Sequence, residues 1–512
     1  MKYIFFIGGS GARAYKAFLH ACAAGIIHED KVEVILLDAD SQNDACKTSC
    51  MLFDIYQQHR NMLCATQFDS PAFRCDVRMK WNKPISPVVE DIAHLEQVTG
   101  GMNTNIRKRV LKWFYSEEER IQDLEKGFYA HPNIGCIFFQ DFGGNQYLDR
   151  FIDSITQDLK TNEDTRIIIV GSVFGGTGAA GIPSVLKILE ERCKKENISR
   201  GTLAVGAVLI APYFKVAKKE KRGSSSIIID SDNFFGNTRA ALDYYRFISN
   251  KFEKIYLVGQ KNLDLVNPDY ADGGEKQDNK PHIVEVFAAM AIKDFLAGGS
   301  GETKLVGHVM DRNENQQITW ASLDPDFYNL VDMARTQTIL ETAIYPYISG
   351  KAYPSSRRGT GMYQWYKIYN IDSAASQQSL DKMRQYTDAF LEWLYLLQYS
   401  YAEGQDELLG DKGTALFNTE LLANLHHCIK SRNTRNVRES IGHEKQGWRK
   451  YQEDFNNLVE TAEKIEFVAE KIIVILSGLG VVPASFANLG IVGLFLKLFS
   501  LAQHKQIEEK KL

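Results

Sequence analysis

Gly171-Ser172-Val173-Phe174-Gly175-Gly176-Thr177-Gly178-Ala179-Ala180-Gly181-Ile182-Pro183 is the stretch on which the fold turns. It follows an apolar run, Arg166–Val170, and opens a helical pattern over Ile182–Arg192. Glycines at such a turn let the backbone approach a ligand closely. Successive backbone amides there can form a concave nest for phosphate oxygens. The Thr177 hydroxyl can donate to the same group, and Pro183 suits the first turn of a helix, where no N–H is needed. The Gly-x-x-x-x-Gly-Lys-Ser/Thr pattern is absent, so this is not a Walker-type loop. The bland alternative is a tight strand–helix turn that holds nothing.

Two more glycine turns lie at similar places. Gly8-Gly9-Ser10-Gly11 follows the apolar run Tyr3–Ile7 and precedes a helical pattern, Ala14–Gly25. A helix starting there would present free N–H groups and a positive dipole end. Its spacing falls short of G-x-G-x-x-G, because Ala14 stands at the third glycine, and alone it would suit a Rossmann dinucleotide site equally well. The other turn, Asp141-Phe142-Gly143-Gly144-Asn145, separates an expected strand, Ile134–Phe139, from an expected helix, Tyr147–Leu159.

Working outward, Val32–Leu37, Leu203–Ile210 and Lys254–Val258 read as further strands, and Ala240–Ser249 and Ile283–Leu296 as helices. Continuous apolar strands alternating with helices predict a parallel sheet covered on both faces. Ligands of such sheets bind at the carboxyl ends of the strands. Residues Gln42 to His131 are mostly polar and helical in pattern. Beyond about residue 340 the character changes. A Gly/Pro/Ser/Arg-rich stretch, Gly350–Gly361, precedes a strand-like piece, Met362–Tyr369, and helices are expected at Gln377–Tyr401, Thr414–Ser431 and Trp448–Glu470.

At these residues the chain resembles the tubulin/FtsZ superfamily, in the manner of a divergent prokaryotic member. The family loop G-G-G-T-G-[SAT]-G reads here Phe174-Gly175-Gly176-Thr177-Gly178-Ala179-Ala180. Asp38-Ala39-Asp40-Ser41-Gln42 is similar to the family's Asn-Thr-Asp-Ala-Gln segment after the second strand. Leu203–Phe214, ending Pro212-Tyr213-Phe214, resembles its next strand and exit.

The resemblance implies an α/β nucleotide-binding domain over residues 1–300, with an insertion at about 43–131 and a long central helix. An acidic loop and intermediate segment would occupy 301–375, and a largely helical carboxy-terminal region 376–512. It implies GTP or GDP, with Mg²⁺, held by Gly8, Gly9, Ser10, Gly11, Arg13, Asp40, Gly143, Gly144, Asn145, Gly175, Gly176, Thr177, Gly178 and Ala179. Asp232 and Asn237 would serve the ribose, and Gln260 and Phe287 the base. Ala12 and Ala291 depart from the family's guanine-reading pattern. Asp324 and Asp326, before the helix Phe327–Ile339, would complete hydrolysis from the adjacent subunit of a head-to-tail filament, with low GTPase activity. The bland reading of Asp-Pro-Asp is a helix cap. The alternative function is a non-polymerising nucleotide sensor or scaffold whose helical tail acts on a membrane or protein partner.

With 512 residues, the chain exceeds one ordinary core. Its apolar fraction of 44%, charged fraction of 24% and net charge of −4 are those of an ordinary globular protein, with no global pull toward nucleic acid. The basic run Lys215–Arg222 is interrupted by Glu220 and reads as a solvated loop. Among eight cysteines, Cys46 and Cys50 are four apart, but no second pair with zinc spacing follows. Tyr3–Ile7 is too short for a signal-peptide core, so a reducing cytosol is expected. The uncharged run Ile472–Leu496 is long enough to span a bilayer, which takes about 20 residues, but Gly478, Gly480 and Pro483 break it. It reads as a membrane anchor, a hydrophobic hairpin, or helices buried in protein.

Overall fold

A computed structural model describes residues 1–341, with interruptions at 41, 66–69, 88–94, 96–103, 122–123, 125–126, 142–144, 162–163, 219–228, 261–262, 272–273, 275–276, 278, 299–304 and 311–324. It further describes 345, 369–397, 399–401, 408–410 and 489–509. The expected strand Met362–Tyr369 falls almost wholly outside these residues. The helices expected at Thr414–Ser431 and Trp448–Glu470 lie outside them altogether.

The main sheet has seven strands: β1 (Lys2–Ile7), β2 (Val32–Leu37), β3 (Val77–Met79), β4 (Arg166–Ser172), β5 (Ala204–Ile210), β7 (Lys254–Gln260) and β9 (Leu305–Met310). Their order is β3-β2-β1-β4-β5-β7-β9, and every neighbouring pair is parallel. The direction of winding reverses between β1 and β4, where Lys2 pairs with Arg166 and Ile7 with Gly171. A small second sheet joins β6 (Phe214–Lys215) and β8 (Asp264–Leu265) to β10 (Tyr399–Tyr401) and β11 (Leu408–Gly410).

The strands are buried on both faces, and alternate residues serve two separate cores. Ile4, Phe6, Ile168 and Val170 face α1 (Gly8–Ala23), α2 (Asp44–Cys64) and α9 (Ile283–Leu296). Tyr3, Phe5, Ile7, Ile167 and Ile169 face α5 (Pro132–Asp141), α6 (Gln146–Thr161) and α7 (Gly176–Lys195). The shorter α3 (Thr104–Phe114) and α4 (Glu117–Ile121) lie within the stretch read as an insertion, and α8 (Phe234–Ile248) precedes β7. Nearly every α9 side chain is buried, as an all-round apolar helix requires. The helix expected to be long has 14 residues.

A further helical layer covers α1 and α2. It comprises α10 (Asn329–Ile339), α11 (Ala374–Leu397) and α12 (Ile491–Glu509). Leu494, Phe495, Leu498 and Phe499 of α12 are buried in the same core as α10 and α11. The end of the uncharged tail therefore lies within protein, while its part from 472 to 488 falls outside the described residues. No described helix is long and apolar enough to cross a membrane.

The strand expected at Ile134–Phe139 is instead part of α5. A short continuous apolar run cannot separate a buried strand from a buried helix. Here Pro132 stands at the helix start, and Gly135 lets α5 pack closely on α7, since a Cβ there would lie 2.7 Å from that of Ala180.

Candidate functional site

At the β1/β4 reversal the chain enters two helices without an intervening loop. β1 runs directly into α1 at Gly8, and only Val173, Phe174 and Gly175 separate β4 from α7. Gly8 has φ of +75°, a conformation that glycine adopts freely, and a Cβ on it would lie 3.4 Å from the Gly178 nitrogen. The two helix starts are thus neighbours. Each follows an extended residue, Ile7 or Gly175, and neither has a side-chain cap or an acidic residue in its first turn. A helix start leaves about four N–H groups without intrahelical partners and carries partial positive charge. Two such ends meeting at one point form an anion site.

They floor a solvent-open cleft. Gly9, Ser10, Ser172 and Gly175–Gly178 line its base. The Thr177 side chain makes no hydrogen bond to a described residue and borders the cleft. One wall comes from Asp38, Asp40 and Asn43 after β2, together with Gln277 and Asn279. Another comes from Gly127–Ala130, and the remaining wall is apolar, with Phe214, Val216, Ile229 and Phe234.

Glycine is required sterically in two places. A Cβ at Gly176 would lie 2.6 Å from the Phe128 Cβ, and one at Gly178 would lie 2.5 Å from the Ser172 carbonyl oxygen. Gly11 lets α1 cross β1 and β4 closely, its virtual Cβ being 3.1 Å from the Val170 oxygen.

Arg13, 4% exposed, borders the cleft from the second turn of α1. Its Nε donates to Glu285 Oε1 at 2.9 Å, and its Nη2 donates to Tyr213 Oη at 2.8 Å and Ser10 Oγ at 3.1 Å. Tyr213 Oη donates to the same Glu285 oxygen at 2.8 Å. The guanidinium lies 4.9 Å from the Phe214 ring centre. Although burial opposes its charge, Tyr213 and Glu285 hold the guanidinium pKa above its ordinary value.

The two aspartates after β2 shape the wall. Asp40 accepts N–H bonds from Gln42 at 3.0 Å and Gly274 at 2.6 Å. Asp38 accepts from the Asp40 N–H at 3.2 Å and from Cys46 Sγ at 3.3 Å. Burial, reinforced by the Asp40 charge, pushes the Asp38 carboxyl up to about 7.

The structure brings Gly9, Ser10, Arg13, Asp40, Gly175, Gly176, Thr177 and Gly178 together at the cleft, with Gly8 and Gly11 supporting its base. Several other expected residues are elsewhere. Asn145 caps α6, its Oδ1 accepting from Tyr147 and Leu148 N–H; Gly143 and Gly144 lie outside the described residues. Ala179 and Asn237 border a different groove, between α5, α7 and α8. Asn237 Nδ2 donates to the Ala130 and Phe174 carbonyls at 3.0 and 3.2 Å, and so clamps the cleft wall rather than meeting a ribose. Asp232 is exposed beside Asp230 and does not border the cleft. Gln260 is buried, donating to the Tyr213 carbonyl and to Asp264. Phe287 is core between α9 and α1.

Asp326 pairs with Lys293 near the end of α9. Arg166, the first residue of β4, bonds the Phe295 carbonyl there, so Asp326 lies toward the amino-terminal ends of the strands, opposite the cleft. Asp324 lies outside the described residues. Asn43, Gln277 and Asn279 border the cleft without having been expected. Asn43 follows the Asp38–Gln42 segment directly, but nothing in the sequence ties Gln277 and Asn279 to it. Comparison with protein-family models and with curated proteins finds no match to this chain.

Proposed function

We propose that the chain binds GTP and GDP as a divergent tubulin/FtsZ-type protein, with the phosphates at the joined starts of α1 and α7. The observation that carries this reading is the meeting of two uncapped, acid-free helix starts at the reversal of the sheet. The order of the motif-bearing segments along the chain supports it, as does Thr177 beside the cleft. Identification of the nucleotide that co-purifies, by denaturing extraction and chromatography, tests the ligand. Thr177→Ala is expected to weaken GDP binding about tenfold, the worth of one hydrogen bond to a charged group. Unchanged affinity would count against the site.

Head-to-tail assembly belongs to the same proposal. A nucleotide in the cleft of one subunit and Asp326 at the opposite strand ends of the next can meet only across such a contact. Turnover per subunit should then rise with protein concentration, and Asp326→Ala should lower it without changing GDP affinity. Turnover that is flat with concentration, with no GTP-dependent sedimentation, favours the nucleotide sensor or scaffold.

Mg²⁺ is implied by the family. The donors here do not fit an ion held by the protein, because no group of three or more His, Cys, Asp or Glu side chains among the described residues could hold a metal. A dinucleotide-binding oxidoreductase is the rival reading, favoured by the strand order and by Asp38 at the end of β2. The engagement of both Asp38 oxygens disfavours a ribose contact there. Nicotinamide or flavin absorbance in the extract would decide for it.

A further inference from the structure

Among the described residues lining the cleft, Arg13 is the one fixed cation, and one of its nitrogens is left free by its surroundings. Tyr213, Glu285 and Ser10 occupy Nε and Nη2, while no described residue accepts from Nη1. We infer that Arg13 is the phosphate-binding cation of this cleft, donating from Nη1 to a phosphoryl oxygen, so that a nucleotide diphosphate binds without a divalent ion. The inference rests on the phosphate site proposed above.

The physical case has three parts. A guanidinium N–H that no described residue accepts is available to donate to an anion in the cleft, as a charge-assisted hydrogen bond. Arg13 is 4% exposed and borders the cleft into which the α1 and α7 starts point, so an anion there meets all three donors. The guanidinium is also preorganised. Two α1 turns, the Phe214 ring and the Tyr213–Glu285 pair fix its plane, and a planar fork so held suits a phosphate oxygen better than a mobile ammonium. Finally, Glu285, 1% exposed, balances the Arg13 charge through an ion pair at Nε. That permits the burial of a cation, and it also means Glu285 opposes the phosphate. Arg13 thus supplies positive charge at a cleft where no described group of carboxylate, imidazole or thiol side chains could hold a metal.

Calorimetric titration with GDP and with inorganic pyrophosphate, each in Mg²⁺ and in EDTA, tests this. The expected result is affinity equal within about threefold in the two buffers. Arg13→Lys should lose about 30-fold, as for a charge-assisted hydrogen bond. Glu285→Gln should bind several-fold tighter, which a purely structural role for Glu285 would not produce. The double variant Arg13→Met/Glu285→Gln removes both charges together, a change that buried pairs tolerate in folding, and should lose binding while still melting cooperatively. Wild-type binding seen in Mg²⁺ but lost in EDTA would overturn the inference and leave the phosphate site standing. So would a double variant that binds like wild type, or a Glu285→Gln variant that gains nothing. Absence of wild-type binding to either probe in both buffers would overturn the phosphate site itself.

Discussion

A methyl group on Gly178 would meet the Ser172 backbone at 2.5 Å from its oxygen and 2.7 Å from its nitrogen, atoms that cannot turn aside. On Gly175 it would meet the Ser172 hydroxyl at 2.9 Å, the end of a rotatable side chain. Gly178→Ala should therefore cost about 3 kcal/mol, the upper end of what overpacking a close-packed site costs, and Gly175→Ala well under half of that. Urea unfolding of the two variants checks the order, and equal losses would mean the helix start is looser than its contacts imply. The same residues show what sequence makes visible. Gly176, Thr177 and Gly178 announce themselves because glycine beside a strand end has few other uses. Arg13 was found through the family position next to Ala12, but its partners Tyr213 and Glu285 are contributed by elements far along the chain, and no local pattern marks them. Asn237 shows the reverse: a polar residue expected to meet ligand turns out to satisfy two backbone carbonyls.

Helix α11 docks on α1 and α2 through an aromatic cluster that encloses two imidazoles. The His20 ring centre lies 4.5 Å from that of Trp393, and the His59 ring 5.2 Å from that of Tyr386. Burial lowers His20 to about 3 and His59 to about 4. Both are neutral when folded, so the unfolded chain binds more protons between these values and 6.5. Stability is full above about pH 6.5 and falls as pH drops toward 4, by on the order of 2 kcal/mol per imidazole between 6.5 and 5. Asp38, pushed up to about 7, acts in the opposite sense, since its folded form holds a proton that the unfolded form releases above 3.8. The difference between wild type and His20→Phe isolates the histidine. The variant should lose less stability than wild type on going from pH 7 to pH 5 in chemical unfolding. Parallel pH profiles would show that the imidazole charges without penalty. Elements of this kind were only partly legible. The strands of the main sheet and α9 follow from their apolar runs, whereas α5 was hidden because a six-residue apolar run fits either period.

At the scale of the molecule, the helical layer decides how the uncharged tail is read. Hydropathy alone allowed a membrane anchor, because burial against α10 and α11 depends on partners distant in sequence. Leu494, 0% exposed on α12, gives a test. Leu494→Asp should unfold or loosen this layer, with a loss of roughly 3 kcal/mol or more for an unpaired buried charge. A tail whose purpose is insertion would instead lose vesicle flotation in this variant and keep its thermal midpoint.

The pairing of β1 with β4 also carries a consequence for biosynthesis. β1 is flanked by β2, which follows at once, and by β4, whose residues leave the ribosome only after the whole of α2 to α6. Until then one edge of an entirely apolar strand, Tyr3-Ile4-Phe5-Phe6-Ile7, stays open in the nascent chain, a template for unwanted pairing. Ribosomes stalled before residue 166 should display a β1 that proteases or chaperones can reach, and those stalled beyond the exit of residue 210 a protected one. The cleft, lying between those two strands, cannot exist before the second has been made.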